Sequence, residues 1–316
     1  MAIDQIIKQA HRDARKIAGK TARTPSAWRE QALRVDREVT APRMAPAPEA
    51  VVVRQAQIDV PGRSPVEARV YIPSGQRRRA AFLSFFGGAF KQGRLDFPSI
   101  DISNRTRAHE ADVVVVAVEY ALAPEHRYPE AVEQGQAALE WLRANADSVM
   151  ADPDRLALGG QSSGGGIAAA VALLDRDRGG PPLQLQLLEV PALDLTGGHL
   201  ARKAAWQLGI PPVLMARGLK AVARDYLGDP ALARQPYASP LLAEDLSGLP
   251  AAHIFTAEFD VFRGDGKAYA QRLEDAGVPA TLHEFAGQTH DSAFYTAVLP
   301  AARQWQAEVW AALRAL

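Results

Sequence analysis

The sequence contains no cysteine. That excludes disulfides, thiolate metal sites and a cysteine nucleophile, and it fits a reducing compartment. No run approaches the roughly 18 consecutive apolar residues of a spanning helix, so a transmembrane segment is not expected. Net charge is missing as well: Lys+Arg and Asp+Glu stand at 36 each in 316 residues. With neither sign in excess, no global field recruits nucleic acid or an anionic surface. The stretch Met1-Ala-Ile-Asp-Gln-Ile-Ile-Lys8 lacks the positive start and long apolar core of a secretory signal, so a cytoplasmic location is expected. Internal repeats and low-complexity tracts are absent too.

What is present is enough chain to bury a substantial core, as two domains or as one large α/β domain. Residues 1–48 read as a basic helical prelude. Ile3, Ile6, Ile7, Ala10, Ala14 and Ile17 recur at helical spacing, and a second helix is expected from Pro25 through Trp28 to Glu38. The prelude reads as a surface arm, with a membrane-lying amphipathic helix as the alternative. The Pro-rich stretch Ala41 to Pro48 then breaks regular structure. Val51–Val60 and Val66–Pro73 read as an antiparallel pair across Pro61-Gly62. Ala80–Phe86 and Asp112–Tyr120 are continuous apolar runs, as expected of strands covered on both faces of a parallel sheet. A helical pattern follows from Tyr128 to Met150, then a strand to Leu158, a glycine turn, a helix, and a strand from Leu183 to Val190. After an insertion, strand and helix resume at Ala251–Phe259, Gly264–Ala276, Ala280–Phe285 and Ala293–Leu316. This alternation predicts an α/β fold with a mainly parallel sheet.

The glycine turn is the chemical centre of the chain. Gly160-Gln161-Ser162-Ser163-Gly164 is a G-x-S-x-G elbow, in which a serine sits on a tight strand-to-helix turn with its hydroxyl above the sheet. Such a match arises by chance in roughly one chain of this length in ten, so its context must carry it. A Walker loop would end in Gly-Lys-Ser/Thr, whereas Gly165 and Gly166 follow Gly164 here. An apolar strand before the turn and small residues after it favour the elbow.

A serine hydroxyl needs a base, and the base needs an orienting group. On this architecture the acid and then the histidine follow the serine, just past the carboxyl ends of strands. Asp260 ends the apolar run from His253 to Phe259, and His290 lies in Gly287-Gln-Thr-His-Asp291 after the next strand. Asp260 could instead cap the helix beginning near Arg263. The rival acids Glu258 and Asp265 fall within a strand and a helix; the rival histidines His253 and His283 fall mid-strand. Ser163 should supply one oxyanion N–H, with others from the glycine loop Phe86-Gly-Gly-Ala-Phe90.

With these motifs in place, the chain resembles the hormone-sensitive-lipase family of α/β-hydrolases, in its bacterial carboxylesterase branch. Glu119-Tyr-Ala-Leu-Ala-Pro-Glu-His-Arg-Tyr-Pro-Glu-Ala-Val132 is similar to that family's D-Y-R-L-A-P-E-x-x-F/Y-P-A-A. Pro191-Ala-Leu-Asp-Leu195, Ala238-Ser-Pro-Leu241 and Thr256–Arg263 extend the resemblance from about Val66 to the C-terminus. It implies an α/β-hydrolase fold, a mainly parallel eight-stranded sheet flanked by helices under a helical cap. Residues 1–48 and the insertion 197–229 would form the cap, and 49–196 with 230–316 the catalytic domain. It further implies Ser162 as nucleophile, His290 as base, Asp260 as its orienter, and Gly88, Ala89 and Ser163 as oxyanion donors, with Gly87 positioning the loop. Phe86 and Ala89 depart from the family's H-G-G-G, Gln161 replaces an acid, and Glu119 replaces aspartate.

The activity so implied is hydrolysis of small to medium apolar carboxylic esters through an acyl-enzyme, with no metal or organic cofactor. An amidase or lactonase using the same trio, or a non-catalytic binder on the same fold, are the alternatives. A small-molecule ester is the expected partner, without nucleic acid or a membrane span; a homodimer is left open. Trp28, Trp206, Leu214 and Met215 in the cap could wall the pocket, but apolar residues at helical spacing are more often plain packing, so none is assigned to the site.

Overall fold

In the computed structural model, residues 3–19, 22 and 24–316 are described. An eight-stranded sheet runs β1 (Val51–Ile58), β2 (Val66–Pro73), β4 (Val114–Val118), β3 (Arg79–Phe85), β5 (Ala151–Gln161), β6 (Leu185–Glu189), β7 (Ala251–Phe259) and β8 (Ala280–Thr289) in spatial order. β1 pairs antiparallel with β2, and β2 antiparallel with β4; every other pairing is parallel. β3, β4 and β6 are buried along their whole length, as continuous apolar runs require when helices cover both faces.

The order places the site. Chain connections lead from β3 outward to β4 and then back across to β5, so the strand order reverses between β3 and β5. A crevice opens at the carboxyl ends of strands where such a reversal occurs. The loops after β3, β5, β7 and β8 meet there, and they are the segments that carry the glycine loop, Ser162, Asp260 and His290.

Helices α3 (Pro98–Ala111), α4 (Glu130–Ala144), α5 (Ser163–Asp177), α8 (Arg263–Asp275) and α9 (Pro300–Arg314) flank the sheet. α5 is buried from Ser163 to Asp175, its small residues letting it lie close on the sheet. The apolar residues of α3 follow no marked helical stripe, so its sequence does not announce a helix. The last helix begins later than the predicted Ala293. A short 3₁₀ turn occupies Ser292–Phe294, and α9 starts at Pro300, a residue suited to the first turn. β8 runs beyond Phe285 to Thr289, so His290 is the first residue after the strand.

The prelude forms α1 (Gln5–Ala18) and α2 (Pro25–Val35), with a π-helical turn over Asp36–Thr40 where a longer helix was expected. Its apolar stripe is used inside the molecule. Ile7, Ala10 and Val39 are buried with Tyr295, Leu299 and Ala302, and Ile3, Ile6, Ala14 and Ile17 pack around them. Met1 and Ala2 lie outside the described residues. The insertion forms α6 (Arg202–Gln207) and α7 (Pro212–Leu227).

Candidate active site

Ser162 stands between β5 and α5 with φ 55° and ψ −119°. A non-glycine residue at positive φ is costly, on the order of 1–3 kcal/mol, and persists only where its surroundings over-determine it. Here they do. The Ser162 N–H donates to the Glu189 carbonyl at 2.9 Å, and the Ser162 carbonyl accepts from Gly166 and Ala192 at 3.1 Å each. A side chain at Gly160 or Gly164 would run into the Phe85 carbonyl, which explains the glycines on both flanks. The free N–H groups at the start of α5 point toward the turn and favour negative charge there.

Three side chains far apart in sequence form one line. His290 Nε2 lies 2.9 Å from Ser162 Oγ, and His290 Nδ1 lies 2.8 Å from Asp260 Oδ2. Asp260 is 1% exposed and also accepts, through Oδ1, the N–H of Phe262 at 3.0 Å. That bond closes a turn ahead of α8 and does not cap it, since Phe262 stands at the N-cap without a side-chain bond; the other carboxylate oxygen faces His290. Burial disfavours the charged form of His290, but the Asp260 charge, the hydrogen bond to Asp260 and the Asp291 charge outweigh it and raise its pKa to about 9. In its neutral form the imidazole can accept the Ser162 proton at Nε2 while Nδ1–H holds Asp260.

The rivals go elsewhere. His253 Nδ1 lies 3.0 Å from His283 Nε2, and His283 Nδ1 lies 2.8 Å from Glu308, all on the outer part of β7, β8 and α9. Glu258 accepts the Gly287 N–H at 2.7 Å. Asp265 is fully buried, and its Oδ2 accepts the N–H groups of Leu193 and Asp194 at 2.9 and 3.0 Å.

The loop after β3 lies directly against the elbow. A Cβ on Gly87 would stand 3.0 Å from the Gln161 carbonyl and 3.3 Å from Ser162 Cβ, so glycine permits this approach. Gly88 has φ 147° and its carbonyl accepts from Lys91 and Gln92 at 3.0 Å each; a side chain there would collide with the Gln92 carbonyl. Ala89 and Phe90 follow at φ 53° and 60°. None of the hydrogen bonds among the described residues uses the N–H of Gly88, Ala89 or Ser163. Two cavities meet at the serine. A cleft of about 640 Å³ is lined by Gly87, Gly88, Ala89, Ser162, His290 and Trp28, among others. A smaller chamber of about 290 Å³ is lined by Ala89, Ser162, Ser163, Met215, Leu219 and Val222. Trp28 and Met215 thus line the cavities, whereas Trp206 and Leu214 point outward, 64% and 55% exposed.

Several further residues support the elbow and the glycine loop. Tyr120 donates its hydroxyl to the Phe86 carbonyl at 2.7 Å and stacks on the Phe86 ring at 4.3 Å between centroids. The phenylalanine that breaks the family pattern is therefore held by its neighbour's ring and its own carbonyl. Glu189 lies beneath the elbow in a buried ion pair with Arg107 and accepts from Trp305 Nε1 at 3.0 Å. Tyr120 lay inside a recognised motif, but nothing in local spacing brings Arg107, Glu189 and Trp305 together.

A family model described as alpha/beta hydrolase fold matches residues 82–294. The chain is 39% identical over 269 residues to the esterase LipI of Mycobacterium tuberculosis, spanning 83% of this chain and 81% of that protein. It is 35% identical to the carboxylesterase NlhH of the same species, over 83% and 82% of the two chains. Among solved structures, the hyperthermophilic esterase from the archaeon Pyrobaculum calidifontis superposes with a TM-score of 0.90 at 31% identity, covering 100% of this chain and 99% of that one. By sequence and by fold, the chain belongs to the hormone-sensitive-lipase family of α/β-hydrolases.

Proposed function

We propose that this protein is a serine carboxylesterase that hydrolyses small to medium apolar carboxylic esters through an acyl-enzyme. The observation that carries the reading is the unbroken line from Asp260 through His290 to Ser162, with contacts of 2.8 and 2.9 Å. The relatives named esterase and carboxylesterase support it.

Neutral His290 takes the Ser162 proton as Oγ attacks the ester carbonyl, and the displaced electron pair moves onto the carbonyl oxygen. The N–H groups of Gly88, Ala89 and Ser163 receive that oxyanion, each worth about 2.7–4 kcal/mol of barrier lowering in comparable sites. Asp260 stabilises the imidazolium, which then donates its proton to the departing alkoxide. Water, deprotonated by the same imidazole, attacks the acyl-serine; as the acyl–oxygen bond breaks and the acid leaves, the imidazolium returns that proton to Ser162 Oγ. Residues 1–48 and 197–229 act as the cap over this chemistry. The apolar chamber behind Ala89 takes the acyl chain, and the larger cleft past Trp28 takes the alcohol.

Turnover of p-nitrophenyl esters of increasing acyl length tests the reading, together with labelling by a fluorophosphonate. Ser162→Ala should lower kcat by about 10⁴–10⁶-fold and abolish labelling. Labelling of Ser162→Ala at the wild-type rate would overturn the nucleophile, and absent or merely stoichiometric release would indicate a binder. Matched ester, anilide and lactone substrates rank the bond types that this trio can cleave.

A further inference from the structure

Six large apolar side chains are exposed among the described residues. Four of them, Trp206 (64%), Ile210 (37%), Val213 (77%) and Leu214 (55%), fall in one short stretch around the junction of α6 and α7. Val52 and Val298 lie apart from them in sequence. Within the stretch itself the charges are all of one sign, the first acid being Asp225 near the end of α7. From Thr196 to Arg224 the sequence has no Asp or Glu, while Arg202, Lys203, Arg217 and Lys220 are exposed and enter no ion pair among the described residues.

Helical geometry sorts α7 into two faces. Val213, Arg217, Lys220 and Arg224 follow at i, i+4, i+7 and i+11, which is one stripe. Met215, Leu219 and Val222 lie on another and line the smaller chamber beside Ser162. On α6, Trp206 stands one turn from Arg202 and Lys203. An apolar tip inside a cationic collar is the pattern of a helix that lies in a lipid interface. No helix among the described residues is long and apolar enough to cross a membrane, so the surface can rest on a bilayer and not span it. A second copy fits poorly, because two faces carrying the same cations would repel each other. The prelude is not a competing anchor, since its apolar stripe is packed inside the molecule.

We propose that the α6–α7 elbow docks the protein on an anionic phospholipid surface. Trp206, Ile210, Val213 and Leu214 enter the headgroup boundary, while Arg202, Lys203, Arg217 and Lys220 meet the phosphates. Docking does not rest on the esterase reading, because it is measured without turnover. Its consequence for the site is that α7 stands between the lipid and the chamber.

The test is co-sedimentation of the full chain with vesicles of phosphatidylcholine alone or mixed with phosphatidylglycerol. Binding is expected to the mixed vesicles and not to the neutral ones, and high salt should release it as the surface charges are screened. Each cation removed should weaken partitioning about fivefold, so Arg217→Gln with Lys220→Gln should weaken it roughly 25-fold. Trp206→Ser with Leu214→Ser should reduce it to background. These side chains are exposed, and thermal unfolding by circular dichroism checks that the variants fold; if the apolar pair does not, the charge pair decides alone. Absence of binding to anionic vesicles, or equal binding by wild type and variants, overturns the proposal. A wild-type dimer in sedimentation velocity that Trp206→Ser with Leu214→Ser splits would overturn it too, assigning the face to a second copy.

Discussion

At Asp291, beside the histidine, a single charge can be changed without breaking the line of three side chains. Asp291 is the weaker of the two acids that raise His290, after Asp260 has offset the cost of burial. A protonated imidazole cannot accept the Ser162 hydroxyl. The acid limb of kcat/KM should therefore lie above the ordinary imidazole value of about 6.5 and extend toward the histidine's pKa of about 9. Asp291→Asn should move that limb to lower pH while leaving most of the plateau, as a pH–rate profile would read directly. Asp260→Asn should lower the limb as well, but with a loss in kcat of about 10⁴-fold, because Nδ1 loses its acceptor and the wrong tautomer is favoured. Gly88→Ala is the sharpest test of the proposed oxyanion role of the loop after β3. Its Cβ has no room beside the Gln92 carbonyl and φ 147° suits glycine, so the loop must shift. The expected result is a fall in kcat of at least about 100-fold, matching the loss of one oxyanion donor.

Two elements make predictions of their own. Helix α7 bounds the apolar chamber with Met215, Leu219 and Val222. Leu219→Trp should fill part of that space and shift the preference to shorter acyl chains. Each methylene excluded forfeits about 0.8 kcal/mol, roughly fourfold in kcat/KM, in a chain-length series. Beneath the elbow, α3 delivers Arg107 to Glu189, both buried. Arg107→Met leaves the Glu189 charge with only neutral donors, and removing one partner of a buried pair costs about 3–5 kcal/mol. Urea unfolding should show that loss. Because the Glu189 carbonyl also holds the Ser162 N–H, kcat at temperatures where the variant stays folded should fall as well.

For the molecule as a whole, activity and stability should run in opposite directions with pH. Burial, then the charges of Asp194 and Asp260, raise Asp265 to about 7 despite its two backbone donors. A carboxyl whose folded pKa lies above its unfolded value binds protons more tightly in the fold. Its contribution is present below the ordinary carboxylate range and lost as pH rises through about 7. His290 has the same sign: its pair with Asp260 stabilises below about 6.5 and is lost as pH rises through about 9. Asp265→Asn should therefore remove part of the decline. The difference in unfolding free energy between wild type and variant should change across pH 4 to 7 by a few kcal/mol at most, with wild type losing relative stability as pH rises.

The elements of the sheet were legible because their signals are local. Val66–Pro73 and Ala251–Phe259 appear with the bounds expected, and the buried runs of β3 and β4 read as parallel strands from their lack of polar alternation. Ser162, Asp260 and His290 could be chosen because each sits where a strand stops, and strand ends are visible in hydrophobic patterning. The order of the eight strands, the crevice between β3 and β5, and the distances that join the three side chains were decided in three dimensions, since only packing brings residues 30 and 128 positions apart within reach. The same holds for Trp206 and Leu214. Residue type leaves pocket wall and plain packing open for them, because which side of a helix meets the core depends on the partner it packs against, and that partner put Met215 inside and these two in water.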